Sequence, residues 1–326
     1  MDLSQVTLTQ IRYAIAVAEA KNFRQAAERS HVSQPALSMQ VQKLEEMLGV
    51  VLFDRSKKPV LITQEGARAL EQMRSILRET ERLAQVIVDD DTPRGPYRLG
   101  VIPTLSPTVL PLFLAKFLER CPLVELSIEE LQTHEIIDRL GADSLDAGIA
   151  ATPLHVAGLE ETVLGQERFS AYLPPHDPLL KKKTLRQSDL TERPLWVMPE
   201  GHCFRTQVLS YCAGKGRDAR AKTEFPAGLR FESASFETLV RLVDAGLGAT
   251  VLPDLVARDL PKARRIAQLR PLEAPVPLRE IGLVTSRSQL RRRVTDALVD
   301  EIQSALSEVL DDVGRGKRVV LDPLAE

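Results

Sequence analysis

The first 50 residues carry apolar side chains at helical spacing. Two amphipathic segments, 9–20 and 23–30, are followed by a third that begins after Ser33 and ends at Gly49. Ser33 is of a residue type that caps helices, Pro35 is tolerated in a first helical turn, and glycine commonly ends a helix. The pattern therefore predicts three short helices, with a tight turn between the second and the third.

The third predicted helix has two different faces. The apolar face is Leu37, Val41, Leu44 and Leu48, and the opposite face is Pro35, Ser38, Met39 and Gln42. A helix, a tight turn and a second helix with a polar outer face fit a helix-turn-helix, whose second helix enters the major groove of DNA. An ordinary helical hairpin with a solvated face is the alternative that this pattern leaves open.

A β-rich hairpin is predicted next. Val50–Asp54 and Val60–Thr63 are joined by Arg55-Ser56-Lys57-Lys58-Pro59, which fits a wing, and Thr63 can cap a long helix from about Gln64 to Val88. Ser38 and Gln42 could reach base edges, while basic side chains hold phosphates without reading the sequence. The expected DNA-binding residues are Arg24, Ser33, Gln34, Pro35, Ser38, Gln42, Arg55 and Lys57, with Lys58 as a further phosphate contact.

Strands and helices alternate beyond residue 96. An acidic segment followed by Pro93, Gly95 and Pro96 marks a domain boundary. The strand-like runs are Tyr97–Ile102, Val124–Glu129, Leu145–Ala150, Leu195–Met198, Leu229–Glu232, Ala249–Leu252 and Glu280–Thr285. Amphipathic stretches lie between them, so we expect an α/β domain of two lobes with a ligand cleft and a last helix at about 290–311. The polar tail Gly314–Glu326 is expected to be loosely ordered.

Length and composition limit the classes of function. A chain of 326 residues suggests two or three folding units, and its net charge of −2 does not indicate a nucleic-acid partner by itself. No apolar run approaches the ~20 residues that span a bilayer, and the N-terminus lacks a signal-peptide pattern. We therefore expect a cytoplasmic protein without membrane association. The histidine spacing suggests no metal site, and no cofactor is expected.

The three cysteines do not make a structural disulfide framework for a reducing compartment. The simplest interpretation is three free, partly buried thiols, and we keep it for Cys121. The interval between Cys203 and Cys212 allows another, because Phe204, Val208 and Tyr211 follow a helical stripe. Nine helical steps separate two Cα atoms by about 13.5 Å, whereas a disulfide needs them within about 7 Å. Helix and disulfide cannot share one backbone, which is the requirement for a redox switch.

The local sequence favours a reactive thiol at Cys203. It would lie near a helix N-terminus with His202 and Arg205 close in sequence, and all three features favour the thiolate. Such a thiolate attacks peroxide to give a sulfenic acid, which a second thiol can capture. Cys212 is the natural resolving partner.

The N-terminal motifs resemble those of the LysR-type transcriptional regulators. The matching segments are Phe23–Glu28, Val32–Ser38, Gln42–Glu45, Leu48–Val50, Leu52–Arg55 and Thr63–Gly66. The resemblance implies a winged helix-turn-helix, a long dimerising linker helix, and a two-lobed, periplasmic-binding-protein-like α/β effector domain. It also implies a homotetramer that binds two neighbouring DNA sites. The expected domains are 1–64 (winged helix-turn-helix), 65–92 (linker helix), 93–313 (redox-sensing regulatory domain) and 314–326 (flexible tail), with lobes at about 97–168 plus 272–313 and at about 169–271.

The regulatory half resembles a peroxide-sensing branch of the same family. The matching segments are Ile102–Thr104, Gln132–His134, Gly201–Cys203 with Cys212, Phe236–Leu239 and Ala245–Pro253, whereas Pro199-Glu200 departs from the usual pattern. The resemblance implies that Cys203 reacts with peroxide and Cys212 forms its disulfide. The other implied roles are Thr104 and Thr133 holding peroxide and water, Gly201 allowing close backbone approach, His202 supporting the thiolate and Arg279 stabilising it. Simpler roles are a turn or helix cap for either threonine and a surface ion pair for Arg279.

Three functions are compared on this basis. The first is a transcription regulator that senses hydrogen peroxide through a reversible Cys203–Cys212 disulfide and controls oxidative-stress genes. The second is a LysR-type regulator that responds to a small organic metabolite in the inter-lobe cleft. The third, a thiol peroxidase, lacks a second catalytic constellation, so we do not expect an enzyme. The expected partners are a double-stranded DNA operator, further copies of this chain, RNA polymerase, hydrogen peroxide as the signal, and a glutaredoxin or thioredoxin system as reductant.

Overall fold

Three helices and a two-stranded wing, followed by a long helix, form the first unit of the computed structural model. The structure describes residues 5–87, 92–191, 193–212, 231, 233–286, 291–310 and 317–324. The chain divides into two units, Met1–Asp90 and Asp91–Glu326. The elements of the first unit are α1 (Leu8–Ala20), α2 (Phe23–Arg29), α3 (Gln34–Leu48), β1 (Phe53–Asp54), β2 (Leu61–Ile62) and α4 (Gln64–Ile87).

The predicted helix ends are present in this unit. The Ser33 hydroxyl accepts a hydrogen bond from the Ala36 N–H, with proline in the first turn of α3. Gly49 ends α3 in the left-handed conformation at φ 68°, where glycine has no Cβ to clash. Thr63 caps α4, because its hydroxyl accepts the Gly66 N–H at 2.9 Å. The apolar face of α3 lies in the core of the unit, with Leu37, Val41 and Leu44 fully buried.

The wing is shorter than the sequence pattern predicts. β1 and β2 are antiparallel and pair over two residues each, with Phe53 opposite Ile62. The N–H groups of Leu52 and Phe53 bind the Glu45 carboxylate, at 2.7 and 3.2 Å, in place of a neighbouring strand. Glu45, on α3, therefore ends the strand pairing and holds the wing against the helix.

The second unit contains an α/β domain of two lobes. The first lobe is built from β3 (Gly95–Val101), α5 (Ser106–Arg120), β4 (Val124–Glu130), α6 (Thr133–Gly141), β5 (Ala147–Thr152) and part of β6 (Leu159–Tyr172). The second lobe contains the end of β6 with α7 (Gln187–Thr191), β7 (Leu195–Trp196), α8 (Cys203–Cys212), α9 (Phe236–Asp244), β8 (Ala249–Pro253), α10 (Asp254–Asp259), α11 (Lys262–Gln268) and β9 (Leu269–Pro271). The chain returns to the first lobe through β10 (Val276–Ser286) and α12 (Arg292–Val309), and β11 (Arg318–Val320) follows.

The strands form one sheet of nine, in the order β4-β3-β5-β10-β6-β8-β7, with β11 on β10 and β9 on β6. β6 and β10 run antiparallel over most of their length, and the register shifts between Ile281 and Gly282. Each lobe has its own apolar core. The sequence pattern missed β6, because its first ten residues include four charged side chains and are mostly not buried, and only its last four residues form a continuous buried run.

The end of the chain corrects the expectation of a loosely ordered tail. Arg318–Val320 pairs with Val276–Leu278 as a parallel strand, and the Leu321 N–H donates to the Leu278 carbonyl at 2.9 Å. Leu321 is buried in the core of the second lobe. The polar composition of the tail does not reveal that this one apolar side chain is buried. The first residues of the predicted tail, 314–316, lie outside the described residues.

The predicted strand at Leu229–Glu232 also falls mostly outside the described residues. Phe231, which is described, belongs to no strand, and its ring packs edge-on against Trp196 at 6.0 Å. Within the described ranges, no helix combines the length and the apolar character needed to cross a bilayer.

Candidate functional site

One helix carries both candidate redox cysteines. α8 begins at Cys203 and ends at Cys212, so nine helical steps hold the two Cα atoms about 13.5 Å apart. Phe204 anchors this helix, because its ring packs edge-on against Phe169 at 5.4 Å and against Phe236 at 4.9 Å. The predicted helix between the two cysteines is present.

The two thiols are free and lie in different cores. Cys203 is 6% exposed and packs into the core of the first lobe, whereas Cys212 is fully buried in that of the second. The end of α8 is held by α7, because Thr191 donates to the Cys212 carbonyl at 3.0 Å and Gln187 donates to the Tyr211 carbonyl. Burial raises the pKa of Cys212 to about 12, so this thiol is protonated while α8 is folded.

The backbone before Cys203 depends on a glycine. Gly201 has φ +88°, and a Cβ on it would lie 2.6 Å from the Gln132 Oε1 atom. Both the left-handed conformation and the close approach favour glycine here. The loop can therefore pass close to Gln132 and bring Cys203 to the adjacent Thr133 at the start of α6.

The Cys203 sulfur lies in a buried environment with several polar groups. Burial raises its pKa, while the Arg279 charge, the Thr133 hydroxyl and the N–H groups of Phe204 and Cys203 act in the opposite direction. The Thr133 Oγ1 atom is buried, and no oxygen or nitrogen partner binds it among the described residues, so it is available to the Cys203 sulfur or to a small molecule beside it. Because burial is the dominant influence, the resting thiol is protonated rather than held as a thiolate.

This result corrects part of the expected thiolate stabilisation. Burial lowers the pKa of His202, so its imidazole is neutral at neutral pH and supplies no charge to the sulfur. The Arg205 guanidinium donates to the Met198 carbonyl at 3.0 Å, and it is not among the groups that lower the pKa of Cys203. The N–H groups at the start of α8 and the Arg279 charge do lower the pKa of Cys203, and their roles in the peroxide reaction stay predictions.

Arg279 belongs to a buried network rather than to a surface ion pair. Its guanidinium and the Glu167 carboxylate are both completely buried, and the Arg279 Nε and Nη2 atoms donate to Glu167 Oε1 at 2.8 and 2.5 Å. The Nη1 atom donates to Thr104 Oγ1 at 3.1 Å, and the guanidinium carbon lies 5.7 Å from the centre of the Phe204 ring. The fold thus brings Thr104, Arg279, Thr133 and Cys203 to one place between the lobes. Sequence reasoning missed Glu167, although a buried arginine requires a carboxylate partner.

The candidate DNA-binding face is exposed on the first unit. The side chains that lie at the surface are Arg24, Ser33, Gln34, Pro35, Gln42, Lys57 and Lys58, and Ser38 is half-buried. Arg24 pairs with Glu28 on the surface of α2 at 3.1 Å. These positions leave the polar face of α3 and the tip of the wing open to a partner.

Arg55 has partners within the protein. Its Nη2 atom donates to Glu45 Oε2 at 2.7 Å, its Nη1 atom donates to Ser38 Oγ at 3.2 Å, and the guanidinium lies 4.9 Å from the centre of the Phe23 ring. Arg55 therefore joins the wing to α3 and α2, and its contact with phosphate stays a prediction.

Two family matches cover most of the chain. Residues 8–67 match the bacterial regulatory helix-turn-helix proteins of the lysR family, and residues 90–307 match the LysR substrate binding domain. The chain belongs to the LysR family. As a member of this family, it is a DNA-binding transcription regulator. The described His, Cys, Asp and Glu side chains form no group of three or more that could hold a metal ion.

Within the LysR family the similar proteins are OxyR regulators. The chain is 32% identical to the DNA-binding transcriptional dual regulator OxyR of Escherichia coli K12, over 94% of this chain and 98% of that one. It is 36% identical to a probable hydrogen peroxide-inducible genes activator of Streptomyces viridosporus, over 95% and 96%. Among solved structures, a full-length OxyR variant from Pseudomonas aeruginosa has a TM-score of 0.72 at 33% identity, over 91% and 97%. A hydrogen-peroxide-bound OxyR variant from Corynebacterium glutamicum has a TM-score of 0.61 at 28% identity, over 95% of each chain.

Proposed function

We propose that this LysR-family regulator senses hydrogen peroxide through a reversible disulfide between Cys203 and Cys212 and thereby controls oxidative-stress genes. The observation that carries the proposal is the placement of two free thiols at opposite ends of α8, with one of them beside Thr133 and Arg279. The similarity to proteins named hydrogen peroxide-inducible genes activators supports peroxide as the signal.

The chemistry uses two thiols and one peroxide. The Cys203 thiol loses its proton, and the thiolate sulfur attacks one peroxide oxygen; the O–O bond breaks, and the leaving hydroxide takes up the proton to become water. The sulfenic acid at Cys203 then reacts with the Cys212 thiol, forming the S–S bond and releasing a second water. Two electrons pass from the two sulfurs to the peroxide. Thr104 and Thr133 would orient peroxide and water at the sulfur, and Arg279 would stabilise the developing thiolate.

The second step requires a change of fold. The Cα atoms at the ends of α8 are about 13.5 Å apart in the helix, and a disulfide brings them within about 7 Å. α8 must unwind, and Cys212 must leave the core of the second lobe. We propose that this rearrangement changes the packing of subunits in a homotetramer and so resets the contacts of paired helix-turn-helix units with two neighbouring DNA sites.

The wider assembly follows from the same proposal. A double-stranded DNA operator binds the helix-turn-helix face, RNA polymerase is the target of activation, and a glutaredoxin or thioredoxin system in the cytoplasm reduces the disulfide. An external reductant is required because oxidation consumes both thiols.

The decisive experiment maps the disulfides. The full-length reduced protein is treated with stoichiometric peroxide and analysed by peptide mass spectrometry. We expect a Cys203–Cys212 linked peptide and the loss of two of the three free thiols, while Cys121 stays free. Cys203→Ser should abolish the reaction, and Cys212→Ser should leave a sulfenic acid at Cys203. A Cys203→Ser protein that responds normally to peroxide would overturn the proposal.

A second candidate function rests on a separate cavity. A cavity of about 770 Å³ opens between the first lobe, at Pro107 and Thr108, and the second lobe, at Phe236, Arg241 and Arg264. Its volume suits a small organic molecule, and an organic acid is the alternative signal. Such an acid would compete for Arg241 and Arg264 with the carboxylates of Glu237 and Asp244, which pair with them in the same lining. Thiols that stay unchanged in peroxide, together with a rise in Tm on adding small carboxylic acids, would favour this function over peroxide sensing.

A further inference from the structure

The Arg279 guanidinium is held on several sides by groups from both lobes. Glu167 lies on β6 directly opposite Arg279 on β10, and its Oε1 atom accepts two of the guanidinium N–H bonds. Its Oε2 atom accepts the Leu255 N–H at 3.0 Å, at the start of α10. The carboxylate is therefore fixed by the second lobe while it fixes an arginine that also binds Thr104. Two guanidinium donors that converge on one carboxylate oxygen restrict both the position and the orientation of the guanidinium.

The same carboxylate balances the charge of Arg279. Arginine and glutamate are both fully buried, so solvent does not screen either charge. Arg279 is the charged group that acts on Cys203, and the neighbouring His202 is neutral at neutral pH. On α10, burial raises the pKa of Asp254 and the Glu167 charge acts in the same direction, while the Asp254 carboxylate forms its own ion pair with Arg168 at 3.3 Å. The positive charge of Arg279 thus interacts with both the Glu167 carboxylate and the Cys203 sulfur.

We propose that Glu167 is a positioning residue for the peroxide reaction, which fixes Arg279 beside Cys203 and, by neutralising the guanidinium charge, adds to the effect of burial in keeping the resting thiol protonated. The inference rests on the proposed function of Cys203. The effect of charge on the Cys203 thiol, however, is the same for any reagent that attacks the sulfur. Glu167 would limit the reactivity of the sulfur while it organises the groups that peroxide meets. Substitutions of Glu167 can separate the effect of its charge on Cys203 from its effect on the position of Arg279.

Glu167→Gln tests the charge. The amide has nearly the same shape but no charge, so the Cys203 thiolate becomes the anion that Arg279 can pair with. An opposite charge that is no longer neutralised favours the thiolate, and we expect iodoacetamide to modify Cys203 about tenfold faster at neutral pH. Loss of structural support alone would speed alkylation of the buried Cys212 as well, whereas the charge effect is confined to Cys203. Glu280→Gln is the matched control: Glu280 follows Arg279 on β10 and accepts hydrogen bonds from Thr152 and Gln166.

Glu167→Asp tests the position. The charge remains but the carboxylate is one methylene shorter, so the guanidinium must shift. We expect iodoacetamide to modify Cys203 at close to the wild-type rate, while oxidation by hydrogen peroxide slows by about tenfold, since peroxide depends on the arrangement of Arg279 and Thr104.

An unpaired buried arginine can destabilise the protein, so a third variant removes both charges. In Glu167→Gln/Arg279→Gln, the field of the guanidinium is lost, and iodoacetamide should modify Cys203 severalfold more slowly than in wild type. If Glu167 neutralises Arg279, the Cys203 alkylation rate should rise in Glu167→Gln and fall in the double variant. If Glu167→Gln does not fold, the double variant and Glu167→Asp still decide the question.

The measurements use the full reduced chain, with thermal unfolding recorded first and Cys203 followed by peptide mapping across pH. The inference is overturned if Glu167→Gln folds and leaves the iodoacetamide reaction at the wild-type rate or slower, or if the double variant reacts like wild type. These outcomes are separate from a failure of the proposed function, in which wild-type protein forms no Cys203–Cys212 disulfide with peroxide.

Discussion

The glycine before the reactive cysteine offers a controlled test of how the site is built. Gly201 and Gly246 both have positive φ, +88° and +83°, but a Cβ on Gly201 would lie 2.6 Å from Gln132 Oε1, whereas a Cβ on Gly246 would meet nothing within 4 Å. Alanine at either position should lower the free energy of unfolding by about 1–2 kcal/mol, because the left-handed conformation disfavours a Cβ. Only Gly201→Ala adds a steric conflict inside the site.

The size of that conflict follows from the geometry. Ordinary contacts of a Cβ begin near 3.4 Å, so the Gln132 side chain must retreat by 3.4 − 2.6 = 0.8 Å. The end of a glutamine side chain can move at small cost in stability. Gln132 precedes Thr133, whose hydroxyl acts on Cys203, and displacements near 1 Å in a reactive site can slow a reaction by about a hundredfold. We expect Gly201→Ala to slow peroxide oxidation of Cys203 by about tenfold or more, and Gly246→Ala to leave it unchanged.

The assay is stopped-flow oxidation with peroxide, paired with chemical denaturation of the same proteins. Gly201→Ala/Gln132→Ala removes the obstruction, so it should recover most of the oxidation rate while the stability lost to the positive φ remains lost. Equal oxidation rates in the Gly201→Ala and Gly246→Ala proteins would refute this account of the loop.

Three further predictions concern other parts of the molecule. Stability should fall as the pH rises from about 9 towards 12, because the unfolded Cys212 thiol ionises there while the folded one stays protonated, and Cys212→Ala should reduce the slope of a denaturation series over that range. Lys57→Ala should weaken binding to duplex DNA and reduce its salt dependence without changing Tm, whereas Arg55→Ala should also lower Tm, since only Arg55 is bonded to the helices beneath the wing. A Tm unchanged in both would contradict the joining role of Arg55. Leu321→Ala should cost about 2–3 kcal/mol and make the chain end more sensitive to protease, while the exposed side chain of Val319 should tolerate the same change; equal effects in the two proteins would argue against docking of the tail.

Signals that act over a few residues predicted the local structure well. The Ser33 cap, the left-handed Gly49 and the Thr63 cap depend on neighbours in sequence, and all are present. The helix between Cys203 and Cys212 is likewise readable from the spacing of its buried residues.

Interactions between distant residues were harder to predict. Glu167 lies 112 residues from Arg279, and nothing in the sequence around it shows that it is the carboxylate that a buried guanidinium requires. The thiolate expected at Cys203 rested on neighbours in sequence, whereas burial between the two lobes raises the pKa of this thiol, and no local pattern reveals that burial. The tail was misjudged for the same reason, since the site of Leu321 is formed by the second lobe.

The burial of the two sulfurs affects how well the protein can distinguish between oxidants. With Cys203 only 6% exposed and Cys212 not exposed at all, the approach to either sulfur is narrow while the lobes keep this arrangement, so a large oxidant such as glutathione disulfide is hindered more than a small reagent. Hydrogen peroxide has only two heavy atoms and is hindered least. The size of an oxidant would then determine its access to the sulfurs, in addition to its chemical reactivity.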